Sequence, residues 1–484
     1  MKRSFFKIFA LALALLAVTD TFAEIKLPKI IGDNMVLQQG KNLPVWGYAE
    51  PNSTVTVKFD RQTKRTKADA EGKWNLELEP LKASATPREM TVQDSRSKVV
   101  LKNILVGEVW LGSGQSNMEY TMKLPGNYKK PAKGPNYQEI EYFIADNPLI
   151  RIFHVEKKLD TPDLPTKGWQ MLGMESLAPF SAPAYFFAKN IHEELGVPVG
   201  MIASSWGGTL IEVWTPEQAY LESPVFKNDV REGRLDYSAA GRHYEKMIEP
   251  MIPFAIKGFI WYQGESNLMQ ADIIRYTEKQ KVLVDWWRKM WGDDTLPFYY
   301  VQISPYTYSA RRGDWVANTW EALPYFWEAQ TLAMNIPYSG MVVTTDLVDD
   351  TRDIHPSYKW EVGRRLALWA LAKDYGKDVV YSGPAYKSMK VDGNKIIVEF
   401  DHAGSGLASS DGKDINWFQV AGDDGRFRNA TAEIVGNTVV VSSPQVRAPL
   451  NVRFAWDELA MPNLVNKEGL PALPFRSNGE TWVY

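Results

Sequence analysis

No cysteine occurs among the 484 residues, which excludes disulfides, thiolate metal sites, a thiol nucleophile and a lipidated cysteine anchor. A strong charge of either sign is also missing, since 55 Lys and Arg against 58 Asp and Glu leave a formal net charge of −3. Without a summed positive field, a nucleic-acid partner is disfavoured. Beyond the first two dozen residues no apolar run approaches the ~20 residues of a membrane-spanning helix. No internal repeat or low-complexity tract is evident. Histidine is scarce, with five in the chain, so an imidazole base has few candidates. What is present is ordinary globular composition, 45% apolar and 12% aromatic. Its length suggests two or three domains, and its chemistry must use oxygen and nitrogen groups.

The first 23 residues read as a secretory leader. Lys2, Arg3 and Lys7 precede an apolar run from Ile8 to Val18, and Thr21-Phe22-Ala23 places small residues where a signal peptidase reads them. Eleven apolar residues are too few to span a bilayer. The expectation is cleavage near Ala23 and a periplasmic or extracellular protein with no membrane span.

Residues 24–103 show short alternating stretches such as Ser53 to Phe59 and Lys73 to Leu78, separated by turn residues such as Glu71-Gly72. This predicts an N-terminal β-sandwich or jelly roll. Over 104–376 the texture becomes apolar strands alternating with amphipathic helices. Strands are expected at Leu105 to Leu111, Val199 to Ala203, Ile256 to Tyr262, Phe298 to Ile303 and Gly340 to Thr345. Helices are expected from Ser181 to Leu195, Arg275 to Trp291, Trp320 to Ala333 and Lys359 to Tyr375. The first has a serine cap, Pro183 in its first turn and Gly196 just past its end. Such alternation implies an α/β fold with a parallel sheet and right-handed crossovers, and ligands then bind beyond the carboxyl ends of its strands. From 377 to 484 the β texture returns, for example in Lys395 to Phe400 and Thr438 to Ser442, with turns at Asp392-Gly393 and Gly436-Asn437.

Three polar, glycine-bearing corners follow expected strands. Gly112-Ser-Gly114-Gln115-Ser116-Asn117 lets the backbone turn sharply and leaves the Ser116 hydroxyl as a candidate nucleophile, which needs a base and an oxyanion pocket. Ser204-Ser-Trp206-Gly207-Gly208 offers backbone amides at close approach. Trp261-Tyr-Gln-Gly264-Glu265-Ser-Asn267 offers the Asn267 amide as a donor. Each corner alone is equally compatible with plain turn chemistry. Among the histidines, His355 stands out, in a loop that runs from Asp346 through Asp349, Asp350 and Asp353 to His355-Pro356. That loop contains carboxylates able to orient an imidazole and stabilise its cation. His154 and His192 fit core or surface roles, and nothing near His243 or His402 suggests a serine partner. The acidic loop lacks EF-hand spacing, and His192-Glu193 has no second histidine one turn on, so no metal or other cofactor is expected.

Together, Gly114-Gln-Ser-Asn-Met118, Trp206-Gly-Gly208, Trp261 to Asn267 and Asp353-Ile-His355-Pro356 resemble the sialate O-acetylesterases, a branch of the SGNH hydrolases. The resemblance extends to Asn34-Met-Val-Leu-Gln38 with Val45-Trp-Gly47 near the start, and to Leu464-Val-Asn466 with Glu468-Gly-Leu-Pro471 near the end. It implies a flavodoxin-like catalytic domain that removes O-acetyl groups from sialic acid. By the same resemblance Ser116 is the nucleophile and His355 the general base. The oxyanion hole is Ser116 N–H with Gly207 or Gly208 N–H and the Asn267 amide, with Gln115 and Glu265 in support. The family's acid usually stands three residues before the histidine, where this chain has Arg352; Asp353 is the nearest substitute and Asp350 the next. The same motifs are compatible with an acetylated plant polysaccharide such as xylan as substrate, or with a glycan-binding relic. An Arg near the site would favour the sialic acid carboxylate, with Arg352, Arg311 and Arg312 as candidates.

Overall fold

The computed structural model describes residues 24–124, 129–233, 239–273, 275–310 and 319–479. The expected leader, Arg311 and Arg312 lie outside the described residues. The N-terminal region is built from β1 (Val36–Gln38), β2 (Leu43–Tyr48), β3 (Thr54–Phe59), β4 (Gln62–Lys67), β5 (Lys73–Leu78) and β6 (Ser84–Gln93). The next strand, β7 (Lys98–Gly114), leaves that region and enters the centre of the molecule. Its first half pairs antiparallel with β6, its Leu105–Gly107 segment pairs parallel with β1, and the remainder lies in the central sheet. The expected boundary at 103/104 therefore falls inside one continuous strand rather than in a linker.

The central sheet adds β8 (Ile150–Val155), β9 (Thr166–Met171), β10 (Val199–Ser205), β11 (Gly258–Tyr262), β12 (Phe298–Val301) and β13 (Ser339–Val342). Its order is β13-β12-β11-β7-β10-β8-β9, parallel throughout except for the last strand. From Ile104 to Gly114 every residue of β7 is buried, as are all of β10, β11 and β12. This follows from helices covering both faces of a parallel sheet, and it is why the strands read as apolar runs without alternation. The helix Ala182–Leu195 starts at the Ser181 cap, whose Oγ accepts from Ala184 N–H at 3.2 Å, and stops at Gly196 in a left-handed conformation. The other three expected helices are found at Tyr276–Trp291, Ala322–Leu332 and Lys359–Lys373.

The C-terminal region forms two four-stranded antiparallel sheets and one two-stranded sheet. Two cations anchor it to the helix Ala322–Leu332 and the residue before it: Arg453 pairs with Glu321 at 2.7 Å, and Arg476 grips both oxygens of Glu328 at 2.9 Å.

Candidate active site

Because the central strands run parallel, their carboxyl ends share one edge, and the three motif corners meet there. Gly114 ends β7 with φ of +138°, and a Cβ at this position would lie 2.2 Å from the Tyr262 carbonyl oxygen, so only glycine fits. Gln115 N–H donates to that same carbonyl at 2.9 Å, and Trp206 N–H donates to the Gly114 carbonyl at 3.0 Å. The Gln115 side-chain oxygen in turn accepts from the Gly264 and Ser266 amides at 3.4 and 3.2 Å. Main-chain and side-chain hydrogen bonds thus stitch the corners after β7, β10 and β11 together.

Ser116 opens a short helix, Ser116–Glu119, where the leading N–H groups have no intrahelical acceptor. Its Oγ lies 2.8 Å from His355 Nε2, across 239 positions of sequence. His355 sits in the loop between β13 and the helix Lys359–Lys373. Of the four carboxylates in that loop, three face elsewhere. Asp346 is gripped by Arg365 at 2.6 and 2.8 Å. Asp349 accepts from the Tyr358 hydroxyl at 2.7 Å and from Ala132 N–H. Asp350 is paired with Arg352 at 2.9 Å and Lys129 at 2.9 Å, contacts that hold its carboxyl well below the ordinary range. Asp353 is the one turned to the histidine segment, its Oδ1 accepting the backbone N–H of His355 at 3.0 Å.

Two expected oxyanion donors are committed to other partners. The Gly207 N–H donates to Glu119 Oε2 at 2.6 Å, although Gly207 does pack on Ser116, since a Cβ there would lie 3.2 Å from Ser116 Cβ. The Asn267 amide nitrogen donates to Glu212 at 3.1 Å and to Asp272 at 2.9 Å, and Lys279 binds both of those carboxylates at 2.6 Å. Both amide hydrogens of Asn267 are thus used within this ionic cluster. Ser116 N–H and Gly208 N–H remain, the latter without an acceptor among the described residues.

Three side chains not singled out in the sequence, Asn117, Lys359 and Glu119, tie the segments around Ser116 together. Asn117 donates to Glu265 Oε1 at 2.5 Å and to the Ile354 carbonyl at 3.0 Å, and accepts from Lys359 Nζ at 2.6 Å. Both ends of this relay are fully enclosed. Burial pushes the Glu265 carboxyl up, and burial pulls the Lys359 ammonium down to about 7 against the attraction of Glu265 and Asp353. Lys359 also lies 4.8 Å from the centre of the Tyr120 ring. The bond to Ile354 O ties the residue before His355 to the residue after Ser116. Glu119, the third, joins the corner after β10 to the short helix Ser116–Glu119. The sequence did hold one signal, since Asn117 and Glu265 both lie within the glycine-bearing corners. Nothing in it distinguished Lys359 from a solvated lysine at a helix start.

The chain matches a family model described as carbohydrate esterase, sialic acid-specific acetylesterase, over residues 106–372. It is 29% identical over 437 residues to the sialate O-acetylesterase of Homo sapiens, covering 82% of this chain and 80% of that protein. To the mouse protein of the same name, Mus musculus, it is 28% identical over 447 residues, covering 79% and 80%. Among solved structures, a carbohydrate acetylesterase from Xanthomonas citri superposes with a TM-score of 0.83 at 34% identity, covering 95% of this chain and 100% of that one. An α/β fold built on a largely parallel sheet, three glycine corners on one sheet edge and these relatives lead to one conclusion: the chain belongs to the family of carbohydrate esterases that contains the sialic acid-specific acetylesterases.

Proposed function

We propose that this carbohydrate esterase removes O-acetyl groups from sialic acids through an acetyl-enzyme formed on Ser116. The observation that carries the mechanism is the 2.8 Å contact between Ser116 Oγ and His355 Nε2, which is hydrogen-bond distance for a nucleophile and its base. His355 takes the hydroxyl proton as Oγ attacks the acetyl carbonyl. The oxyanion develops toward Ser116 N–H and Gly208 N–H, the sugar alcohol leaves with the proton from His355, and water then repeats the sequence on the acetyl-serine. Asp353 holds the imidazole in register through the main chain. General-base assistance of this kind contributes ~10² to 10⁴-fold, and one oxyanion donor roughly 2.7 to 4 kcal/mol.

The sialic acid assignment rests on the family description and on the names of the vertebrate relatives. Arg352, the described arginine nearest the site in sequence, is exposed and paired with Asp350, so it would have to exchange partners to bind a substrate carboxylate. The Xanthomonas citri relative is named by the broader term carbohydrate acetylesterase, which keeps acetylated xylan as the second reading. Acetate release measured side by side from O-acetylated sialic acid and acetylated xylan separates the two; a higher kcat/KM on xylan overturns the first. Ser116→Ala is expected to lower turnover on either substrate by about 10⁴-fold or more with the fold intact. Near-normal turnover in that variant removes the nucleophile assignment. We infer export as well, from the leader-like residues 1–23. N-terminal sequencing of the protein recovered from the cell envelope or medium should begin at Glu24.

A further inference from the structure

A groove of about 650 Å³ lies between the N-terminal region and the central domain. It is a different place from the active site. Its central-domain wall includes Ile256 and Leu296, each just ahead of β11 or β12, whereas Ser116 lies past the carboxyl ends of the strands. The length of β11, five residues, separates the two edges by roughly 16 Å.

The other wall is the outward face of the β2/β5 ladder. Register pairs Pro44 with Glu77, Trp46 with Asn75 and Tyr48 with Lys73, and directly opposed residues of an antiparallel pair share a face. Alternation along β2 buries Leu43, Val45 and Gly47 and leaves Trp46 half-buried and Tyr48 exposed. The result is an aromatic strip, Trp46 and Tyr48, edged by Lys73, Asn75 and Glu77 and facing Trp291 across the groove. Lys41 closes one side by pairing with Asp293 at 2.8 Å. Trp74 borders the same groove, and its buried indole N–H has no hydrogen-bond partner among the described residues, a donor left unused there.

Flat aromatic faces flanked by amides and carboxylates match a sugar ring, which offers an apolar C–H face and a rim of hydroxyls. The volume falls within the roughly 300 to 1,000 Å³ of small-ligand sites. Charge narrows the class: the groove holds three carboxylates, Asp69, Glu77 and Asp293, against two cations, Lys41 and Lys73. It presents no cationic cluster for a phosphate, a nucleotide or the carboxylate of a sialic acid. We infer that this groove is an accessory binding site for neutral sugar units of a glycan, distinct from the acetyl-handling centre, with Trp46 as the stacking platform. It retains the carrier glycan while acetyl groups are removed at the opposite edge of the sheet.

The test is titration calorimetry on Ser116→Ala protein with three probes: xylohexaose, a desialylated biantennary N-glycan and sialyllactose. At least one neutral probe should bind saturably with a dissociation constant at or below the millimolar range. Trp46→Ala should then weaken that binding at least tenfold, and Tyr48→Ala and Glu77→Gln at least threefold. In the otherwise native enzyme the same substitutions should leave 4-nitrophenyl acetate hydrolysis within twofold, which also reports an intact fold. If Trp46→Ala does not fold, the two exposed positions carry the comparison. Absence of saturable binding by both neutral probes, binding insensitive to these substitutions, or tighter binding of sialyllactose through the same residues overturns the inference. Because binding is read in a protein lacking the Ser116 hydroxyl, failure of the esterase reading leaves this result untouched.

Discussion

Lys359 carries a pH signature that can be isolated. In the fold its pKa is held down at about 7, with burial as the largest cause, whereas in the unfolded chain a lysine protonates near 10.4. Across that window the unfolded chain binds more protons, so this residue's contribution to stability rises with pH and is least favourable below about 7. Lys359→Met removes the dependence. Urea unfolding at pH 7 and pH 10 should show the native sequence gaining on the variant as pH rises, and a difference constant across that range would refute the assignment. Asn267 supplies a second test. Its amide serves Glu212 and Asp272 inside a partly buried ionic cluster, so Asn267→Ala should cost about 1 to 3 kcal/mol of stability while the folded fraction keeps kcat near the native value. An oxyanion donor would behave in the opposite way, losing about 10² to 10³ in kcat.

The helix Ala182–Leu195 is joined at its first turn to the sheet edge that carries Ser116. Ser181 Oγ caps Ala184 N–H and also donates to the Met118 carbonyl at 2.5 Å, so one hydroxyl fixes the start of a long helix and the short helix that carries Ser116. Ser181→Ala is expected to destabilise the protein by about 1 to 2 kcal/mol and to lower kcat more than KM, because the position of Ser116 loosens. Denaturant unfolding and steady-state kinetics on one preparation check both. Most elements here were readable in advance. Lys73–Leu78 and Thr438–Ser442 occupy the spans expected, and the cap, proline and glycine of Ala182–Leu195 gave its limits. β13 ends at Val342, three residues before the expected end at Thr345, because there the chain leaves the ladder to become the His355 loop, which an apolar run does not signal. The edge strand β9 pairs antiparallel with β8 and is polar in part, so it carries no buried-strand pattern.

At the scale of the molecule, β7 makes the N-terminal region and the central sheet one structural unit. Val36 packs against the backbone of Gly200, where a Cβ would meet it at 2.9 Å, and the Trp169 indole donates to the Ile30 carbonyl at 2.8 Å. A chain starting at Lys98 would strip β6 and β1 from β7 and expose these apolar faces. Such a truncation should give little soluble protein and no hydrolysis of 4-nitrophenyl acetate; a soluble, active truncated enzyme would show that the regions are separable.

Short-range chemistry was settled by the sequence alone: absence of thiols, α/β alternation, helix limits and three glycine corners are properties of neighbouring residues, set by backbone sterics and apolar periodicity. Partnership across the chain was not. That Ser116 meets His355, that Gly207 and Asn267 are taken by Glu119, Glu212 and Asp272, and that Lys359 is enclosed with Glu265 around Asn117 depend on which side chains a parallel sheet brings to one edge. Hydrogen-bond donors are finite and directional. Only the packed arrangement decides which acceptor claims each of them.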